Sequence, residues 1–352
     1  MRAGVFHGPG DIRVDEVADP RDPVGGEAVV RVVRSSVCGS DLWAYRDISK
    51  GEEGSRTGHE FTGIVEAVGD DVTTIKPGDL VVSPFMWSCG ACMACRAGLQ
   101  TSCPSGQFVG GSYDAGQGER VLMPLADGSL WKVPDGTPEA LYDQVHLLSD
   151  VLLTGYHAAK LAGVGSVGLD GQPVTTAVVI GDGAVGLSGV VGAKLLGATT
   201  IVAVGHHDDR LEIARTLGAT HTSNLRGKQL TKHIKELTDG GAPAVLECVG
   251  VTGALMTAAA VVTGGGNVGS VGVPHGVEHA GWLGMLFGKN AALRSGVAPV
   301  RAYMDEVGPA VCAGELDVSA IASDRYELGE LAGAYTAMDN RTAIKSILVV
   351  EP

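Results

Sequence analysis

Four of the seven cysteines in the chain lie close together, and their spacing is C-x2-C-x2-C-x7-C: Cys89, Cys92, Cys95 and Cys103. Four thiolates so close along a segment containing glycine and alanine can wrap one tetrahedral ion, with Zn–S bonds of about 2.3 Å and no open position. The spacing therefore predicts a structural zinc site. An iron–sulfur cluster is the alternative, because four thiolates also suit iron, although the ferredoxin-type spacing to the fourth cysteine is absent.

A glycine motif of the form G-x-G-x-x-G follows a short apolar segment, 176–180, and opens a helical pattern. In this context the glycines predict a dinucleotide phosphate loop, because they allow a tight turn, close approach of pyrophosphate and close packing of helix on strand. The first turn of the helix adds N–H donors and a positive dipole. The predicted cofactor contacts are Gly181, Gly183, Ala184, Val185 and Gly186.

Two further groups of reactive residues lie in the first part of the chain. Cys38 precedes Gly39 and Ser40, and His59 precedes Glu60. Each group alone is weak evidence, because a lone cysteine or histidine more often belongs to a core than to a metal site.

Residues 1 to about 150 show short alternating apolar runs broken by turn residues, at 28–33, 61–69 and 80–82. This pattern is typical of antiparallel, β-rich structure.

From about residue 174 the pattern changes to buried strands separated by helices, with strands predicted at 176–180, 200–204, 244–248 and 267–271. Strands that alternate with helices predict a doubly wound parallel sheet in an α/β domain. One helix is predicted to begin with Asp208 as its N-cap and to end at Gly218.

The composition excludes several classes of protein. The chain has 352 residues, enough for about two domains, and its 53 glycines follow no collagen period. A formal net charge of −14 and the absence of basic runs argue against nucleic acid or anionic membrane as a partner. No apolar segment of the sequence has the length of a signal or a membrane span, so we expect a cytoplasmic protein.

The order of these motifs resembles the zinc-dependent medium-chain alcohol dehydrogenases. The match includes Asp150 shortly before Thr154 and extends to the closing segment around Lys345. The resemblance implies a GroES-like, β-rich catalytic domain at 1–154 and 295–352, a Rossmann domain at 155–294, and a homodimer or homotetramer. It also implies an active site between the two domains.

The same resemblance implies that Cys38, His59 and Asp150 bind a catalytic zinc, with Glu60 as an exchangeable ligand. Two zinc ions per chain are then expected. Ser40 would be the first hydroxyl of a proton relay, whereas Trp43 stands where many relatives have a relay histidine.

The choice between NAD and NADP depends on the residue that follows the predicted strand 200–204. NAD-dependent relatives usually have an acidic residue there, and this chain has Gly205, so the sequence favours NADP over NAD. His206, His207 and Arg210 are the predicted contacts to the 2′-phosphate, although Asp208 and Asp209 weaken the case. Thr154 and Lys345 are further cofactor contacts expected by resemblance.

The implied reaction is reversible oxidation of a primary or secondary alcohol to an aldehyde or ketone. The alternatives are a polyol, sugar or threonine-type dehydrogenase, a zinc-free quinone or enone reductase, and a non-catalytic cofactor-binding protein. A modest hydrophobic substrate is suggested by four apolar residues: Phe85, Met86, Trp87 and Phe108. His275 and His279 either line the pocket or lie in a solvated loop.

Overall fold

A computed structural model of the chain describes residues 1–110, 114–277 and 281–350. It divides into two compact units, one formed by Met1–Asp150 with Pro299–Pro352 and the other by Val151–Ala298. The sequence placed the two boundaries after residue 154 and after residue 294. No helix in the described ranges is long and apolar enough to cross a membrane.

The first unit is built on a mostly antiparallel sheet. Its strands are β1 (Arg2–Gly8), β2 (Asp11–Glu16), β3 (Ala28–Val37), β4 (Phe61–Val68), β5 (Leu80–Ser83), β6 (Met86–Trp87), β7 (Gln107–Phe108), β8 (Arg120–Met123), β9 (Trp131–Lys132), β16 (Asp324–Glu327) and β17 (Ser346–Val349). The main sheet has the order β16-β17-β3-β4-β5-β9, and β8 pairs with β3. Its apolar side chains, including Val30, Val32 and Phe61, form a core with almost no exposure to solvent.

The helices of the first unit are mostly short: α1 (Leu42–Tyr45), α2 (Met93–Arg96), α3 (Ala126–Ser129), α4 (Tyr142–His146), α11 (Val300–Cys312) and α12 (Leu331–Asp339). Single 3₁₀ turns lie at Gln100–Ser102, Glu139–Leu141, Leu147–Ser149, Ser319–Ile321 and Leu328–Glu330. This unit has the β-rich architecture that the sequence predicts.

The second unit is a parallel sheet flanked by helices. Its strands are β10 (Thr176–Ile180), β11 (Thr200–Val204), β12 (His221–Ser223), β13 (Ala242–Glu247), β14 (Val262–Ser270) and β15 (Ala292–Ser295). Its helices are α5 (Val151–Leu161), α6 (Ala184–Leu195), α7 (Asp208–Leu217), α8 (Gly227–Leu237), α9 (Thr252–Val261) and α10 (Trp282–Gly288).

Every strand pair in this six-stranded sheet is parallel, and the strand order is β12-β11-β10-β13-β14-β15. This is the 3-2-1-4-5-6 order of a Rossmann sheet, which confirms the predicted fold class. Val178 and Val202 in the central strands are fully buried, since helices cover a parallel sheet on both faces. His207 rather than Asp208 is the N-cap of α7, and Gly218 ends the helix with a φ of 122°.

Candidate functional site

Four residues of the first unit bring their ligand atoms within 4.8 Å of one another: Cys38, His59, Glu60 and Asp150. The Sγ of Cys38 is 3.4 Å from Oδ2 of Asp150. The Nε2 of His59 is 3.6 Å from the same carboxylate oxygen and 3.7 Å from Oε1 of Glu60. A thiolate, an imidazole and a carboxylate so arranged match the mixed ligand sets of catalytic zinc sites.

The sheet register explains why these residues meet. Cys38 follows the last residue of β3, and Glu60 precedes the first residue of β4. In the antiparallel ladder Ser35 of β3 pairs with Phe61 of β4, and Val37 pairs with Ser346 of β17. The end of β3 therefore lies beside the beginnings of two neighbouring strands. Asp150 arrives separately, after the 3₁₀ turn Leu147–Ser149.

Asp41 fixes the orientation of His59. One oxygen of the Asp41 carboxylate lies 3.2 Å from Nδ1 of His59, and the other accepts a hydrogen bond from the backbone N–H of Cys38. Gln117 donates to the same carboxylate at 3.4 Å and accepts from the hydroxyl of Tyr335 at 3.0 Å. With Nδ1 on a carboxylate, Nε2 of His59 is left to face the cluster, the usual arrangement of a metal-binding histidine.

Glu60 is wholly buried and paired with Lys345. The ammonium of Lys345 lies 2.6 Å from Oε1 of Glu60, and neither side chain is exposed. Ser36 donates to Oε2 at 2.8 Å. Burial opposes ionisation of Glu60, but the Lys345 ammonium outweighs it and holds the pKa of Glu60 below its ordinary value. Glu60 is therefore an anion beside the ligand cluster.

A buried histidine, His146, contacts the hydroxyl that donates to Glu60. Nε2 of His146 lies 2.8 Å from Oγ of Ser36, and its Nδ1 lies 3.1 Å from Oγ1 of Thr62. Burial lowers the pKa of His146 to about 4, so the ring is neutral at neutral pH. The ring and two hydroxyls thus form a polar network behind Glu60.

The four cysteines predicted as a structural site also meet. The distances between sulfur atoms are 3.5 Å for Cys92 to Cys95, 3.6 Å for Cys103 to Cys89, 3.9 Å for Cys92 to Cys103 and 4.0 Å for Cys89 to Cys95. A tetrahedron with Zn–S bonds of about 2.3 Å has edges of about 3.8 Å. The sulfurs therefore already stand at the corners that one zinc ion requires. Backbone N–H donors from Ala91 and Cys92 lower the pKa of Cys89 to about 6.

The glycine loop leaves β10 and begins α6, as predicted. Gly181 has a φ of +121°, which favours glycine, and a Cβ at Gly186 would stand 2.1 Å from the carbonyl oxygen of Gly181. A Cβ at Gly183, by contrast, would meet no atom within 4 Å. Gly181 therefore allows the turn, Gly183 leaves room for a ligand to approach the backbone, and Gly186 allows close packing of the helix, as a dinucleotide loop needs. These residues fit a pyrophosphate group.

The structure corrects the premise on which NADP was favoured. The loop residue Asp182 places its carboxylate at the end of β11, where Oδ2 accepts hydrogen bonds from the backbone N–H groups of His206 and His207. A carboxylate therefore does lie beside Gly205. Arg210 is 8% exposed, in the first turn of α7.

The other predicted residues lie as follows. Ser40 and Trp43 are half-buried close to Cys38, and Thr154 is half-buried in α5. Lys345, expected by resemblance at the cofactor, instead has its ammonium on Glu60. His279 lies outside the described residues.

Aromatic rings border His59. Its ring centroid is 6.4 Å from that of Phe85 and 6.3 Å from that of Phe108, and the two phenylalanine rings stack at 5.6 Å. Phe108 is 54% exposed, whereas Trp87 is buried in the core of the first unit. Of the apolar residues predicted near substrate, the two phenylalanines lie at the ligand cluster and Trp87 belongs to the core.

Sequence reasoning assigned no role to Ser36, Asp41, His146 or Asp182. For Asp182 a signal was present, since an acidic residue inside the glycine loop coincides with a glycine at the end of the next strand. The contacts of Ser36 and His146 depend on strand register and carry no sequence motif.

Comparisons with known proteins agree with this geometry. The model of the alcohol dehydrogenase GroES-like domain family matches residues 25–135, and that of the zinc-binding dehydrogenase family matches residues 184–302. The chain is 38% identical over 338 residues to zinc-type alcohol dehydrogenase B of Aspergillus flavus, covering 94% of this chain and 75% of that protein.

Two further relatives match over almost the whole chain. A probable zinc-binding alcohol dehydrogenase of Mycobacterium tuberculosis is 34% identical, covering 97% of this chain and 86% of that protein. The solved structure of alcohol dehydrogenase TADH from Thermus sp. ATN1 superposes with a TM-score of 0.89 at 32% identity and covers 100% of both chains. The chain is therefore an oxidoreductase that belongs to the zinc-dependent medium-chain alcohol dehydrogenase family.

Proposed function

We propose that the chain catalyses reversible hydride transfer between a primary or secondary alcohol and a nicotinamide dinucleotide, giving an aldehyde or ketone. The observation that carries this proposal is the cluster of Cys38, His59, Glu60 and Asp150, whose ligand atoms lie within 4.8 Å of one another. A zinc-free reductase would have no need of this cluster or of the carboxylate that orients His59.

Cys38, His59 and Asp150 would hold the catalytic zinc, and the four-cysteine lobe a structural one, so we propose two zinc ions per chain. The two anionic ligands, Cys38 and Asp150, balance the charge of a divalent ion while His59 stays neutral. Zinc bound there supplies a Lewis acid that lowers the pKa of a substrate hydroxyl. Glu60, held by Lys345, adds a negative charge beside the site.

The proton released by the alcohol has to reach solvent. Ser40 is the proposed first acceptor, because it is a half-buried hydroxyl two positions after the ligand Cys38. Trp43 cannot accept a proton and would instead limit the space for substrate. A Ser40→Ala enzyme with undiminished kcat would contradict the assignment of Ser40.

The aromatic border of the cluster favours an apolar substrate. Phe85 and Phe108 stack beside His59 and offer no hydrogen-bond partner to additional hydroxyl groups. A polyol or sugar would bring several hydroxyls that lose water without gaining partners there. We therefore propose a small alcohol with an apolar chain rather than a polyol.

The second unit supplies the dinucleotide site through Gly181, Gly183 and Gly186. A nicotinamide dinucleotide held there would supply the acceptor or donor of the hydride. The sequence predicted NADP because Gly205 stands directly after β11 and because His206, His207 and Arg210 could contact a 2′-phosphate, and Asp182 removes the first of these grounds. The proposal is therefore limited to a nicotinamide dinucleotide, and the choice between NAD and NADP depends on Asp182. We also propose a homodimer or homotetramer, by likeness to the family.

The experiment is a panel of primary alcohols, secondary alcohols, polyols and amino alcohols, each offered to the zinc-loaded protein with both cofactors. We expect alcohol-dependent reduction of the cofactor, with the highest kcat/KM for an apolar alcohol. A higher kcat/KM for a polyol would overturn the substrate proposal. No signal with any alcohol or carbonyl would overturn the proposed function.

A further inference from the structure

The glycine loop carries an acidic side chain that reaches the neighbouring strand. Asp182 lies between Gly181 and Gly183, and its Oδ2 accepts hydrogen bonds from the backbone N–H groups of His206 at 2.5 Å and His207 at 2.9 Å. Nδ1 of His207 also lies 2.9 Å from this oxygen. One carboxylate oxygen therefore receives three contacts from the segment that follows β11.

The end of this strand decides how a dinucleotide-binding sheet treats the adenosine ribose. An acidic residue about 20 positions after the glycine loop ordinarily accepts a hydrogen bond from the ribose 2′-hydroxyl, whereas NADP needs positive charge there. In this chain that position is Gly205. A Cβ on Gly205 would lie 2.5 Å from Cβ of Asp182 and 2.6 Å from its Oδ2. Asp182 therefore occupies the space that a side chain at position 205 would fill.

The backbone does not require glycine at position 205. Its φ lies outside the left-handed region, whereas Gly181 has a φ of +121°. The obstacle to a side chain there is Asp182 itself. Gly205 and Asp182 are thus complementary. The carboxylate that usually stands on the strand comes here from the glycine loop.

We propose that Asp182 selects NAD over NADP by presenting its carboxylate where the ribose 2′-hydroxyl of the cofactor binds. This inference rests on the proposed function, since it concerns the cofactor of the same reaction. The three contacts from the 206–207 segment all reach Oδ2, which leaves the lone pairs of Oδ1 to accept a hydroxyl proton.

The surroundings of Asp182 would oppose a 2′-phosphate. Burial opposes ionisation of Asp182, but the N–H donors of His207 and His206 outweigh it and lower the pKa of the carboxyl group. The backbone N–H groups of His206 and His207 already donate to Asp182 and are not offered to a phosphate. Asp208 and Asp209 stand in the first turn of α7, whereas Arg210 in the same turn is buried. The carboxylates of Asp182, Asp208 and Asp209 outnumber the one guanidinium of Arg210, so the formal charge here is negative.

The test measures the binding of cofactor fragments, so its result depends neither on turnover nor on the catalytic zinc. ADP-ribose and 2′-phospho-ADP-ribose are titrated into the full chain by calorimetry, and the ratio of their dissociation constants is recorded. We expect the wild-type chain to bind ADP-ribose at least about tenfold more tightly, and Asp182→Asn to reduce this preference by about tenfold or more. Glu212→Gln is the matched control, because it removes one exposed negative charge from α7 and should leave the ratio unchanged.

A second variant moves the acid instead of removing it. Asp182→Gly combined with Gly205→Asp places the carboxylate on the strand, and we expect it to bind ADP-ribose in preference to the 2′-phosphate, as the wild type does. Tighter binding of 2′-phospho-ADP-ribose by the wild type, or an unchanged ratio in Asp182→Asn, overturns the role of Asp182 and leaves the proposed dehydrogenase intact. If neither fragment binds, the dinucleotide site itself is refuted.

Discussion

The buried pair of Lys345 and Glu60 offers a quantitative test of how the ligand cluster is built. Replacing Lys345 by Met keeps a long unbranched side chain but removes the ammonium. Glu60 would then be a buried anion without its cation, 0% exposed and left with the hydroxyl donors of Ser36 and Ser149. The reverse variant, Glu60→Gln, keeps the shape of Glu60 and leaves the lysine unpaired.

The structure sets the expected size of the effect. At 2.6 Å and an effective dielectric constant of about 20, the attraction between the two charges is roughly 6 kcal/mol. Several kcal/mol of desolvation per ion oppose this attraction, so the pair as a whole is close to neutral for stability. Removing one partner is different, and each single variant should lower the free energy of unfolding by about 3–5 kcal/mol.

The assay is urea unfolding of the two single variants and of the double variant, all loaded with zinc. Because the double variant contains no unpaired charge, its loss should be smaller than the sum of the single losses by at least about 2 kcal/mol. The matched control is the exposed pair of Lys232 and Glu236, with charged atoms 3.7 Å apart, for which the same cycle should give a coupling of only about 0.3–0.5 kcal/mol.

Additive losses in the Lys345 and Glu60 cycle would refute this reasoning. So would a loss below about 1 kcal/mol in Lys345→Met, because an unpaired buried carboxylate costs more than that. Metal content is measured for every variant, so that loss of zinc is not mistaken for loss of the ion pair.

Three further predictions concern the metal sites and the buried histidine. Cys92→Ser should lower the metal content from two zinc ions to one and lower Tm, since a structural site contributes to folding directly; iron at this site in the wild type would contradict the zinc assignment. Asp41→Asn should weaken binding of the catalytic zinc by about 10–100-fold in chelator competition, because the carboxylate orients His59; unchanged affinity would show that Asp41 is dispensable. Acid should destabilise the protein through His146, whose pKa is about 4 when folded and 6.5 when unfolded. Between pH 7 and pH 5 the unfolded chain takes up a proton that the native ring does not, so this contribution falls by about 2 kcal/mol. In urea unfolding, His146→Gln should lose less stability than the wild type when the pH is lowered over this range. Equal losses would contradict the lowered pKa of His146.

The sequence predicted elements well where the pattern of apolar residues is strong. The strands at 176–180 and 200–204 have the bounds of β10 and β11, because a buried parallel strand is a short apolar run between turn residues. Strand β14 begins at Val262 rather than at 267, since its first residues are mostly glycines that give no apolar signal. The cysteine lobe was predictable because all four ligands are local.

The candidate site was predictable only where a motif carries it. Cys38, His59 and Asp150 were named by resemblance, but the roles of Ser36 and Lys345 depend on the pairing of β3 with β4 and β17. The prediction of NADP was made from Gly205 and the residues that follow it, 206–210. It left out Asp182, whose side chain enters the space beside Gly205 from a loop that lies earlier in the chain.

The central claim is that a zinc ion held by Cys38, His59 and Asp150 is required for alcohol oxidation. The most direct measurement compares the wild type with Asp150→Ala for zinc per chain, binding of ADP-ribose and alcohol-dependent reduction of the cofactor. We predict that the variant keeps the structural zinc and binds ADP-ribose as the wild type does, but loses the second zinc and the activity. Full alcohol-dependent activity in a variant that holds a single zinc ion would contradict the claim.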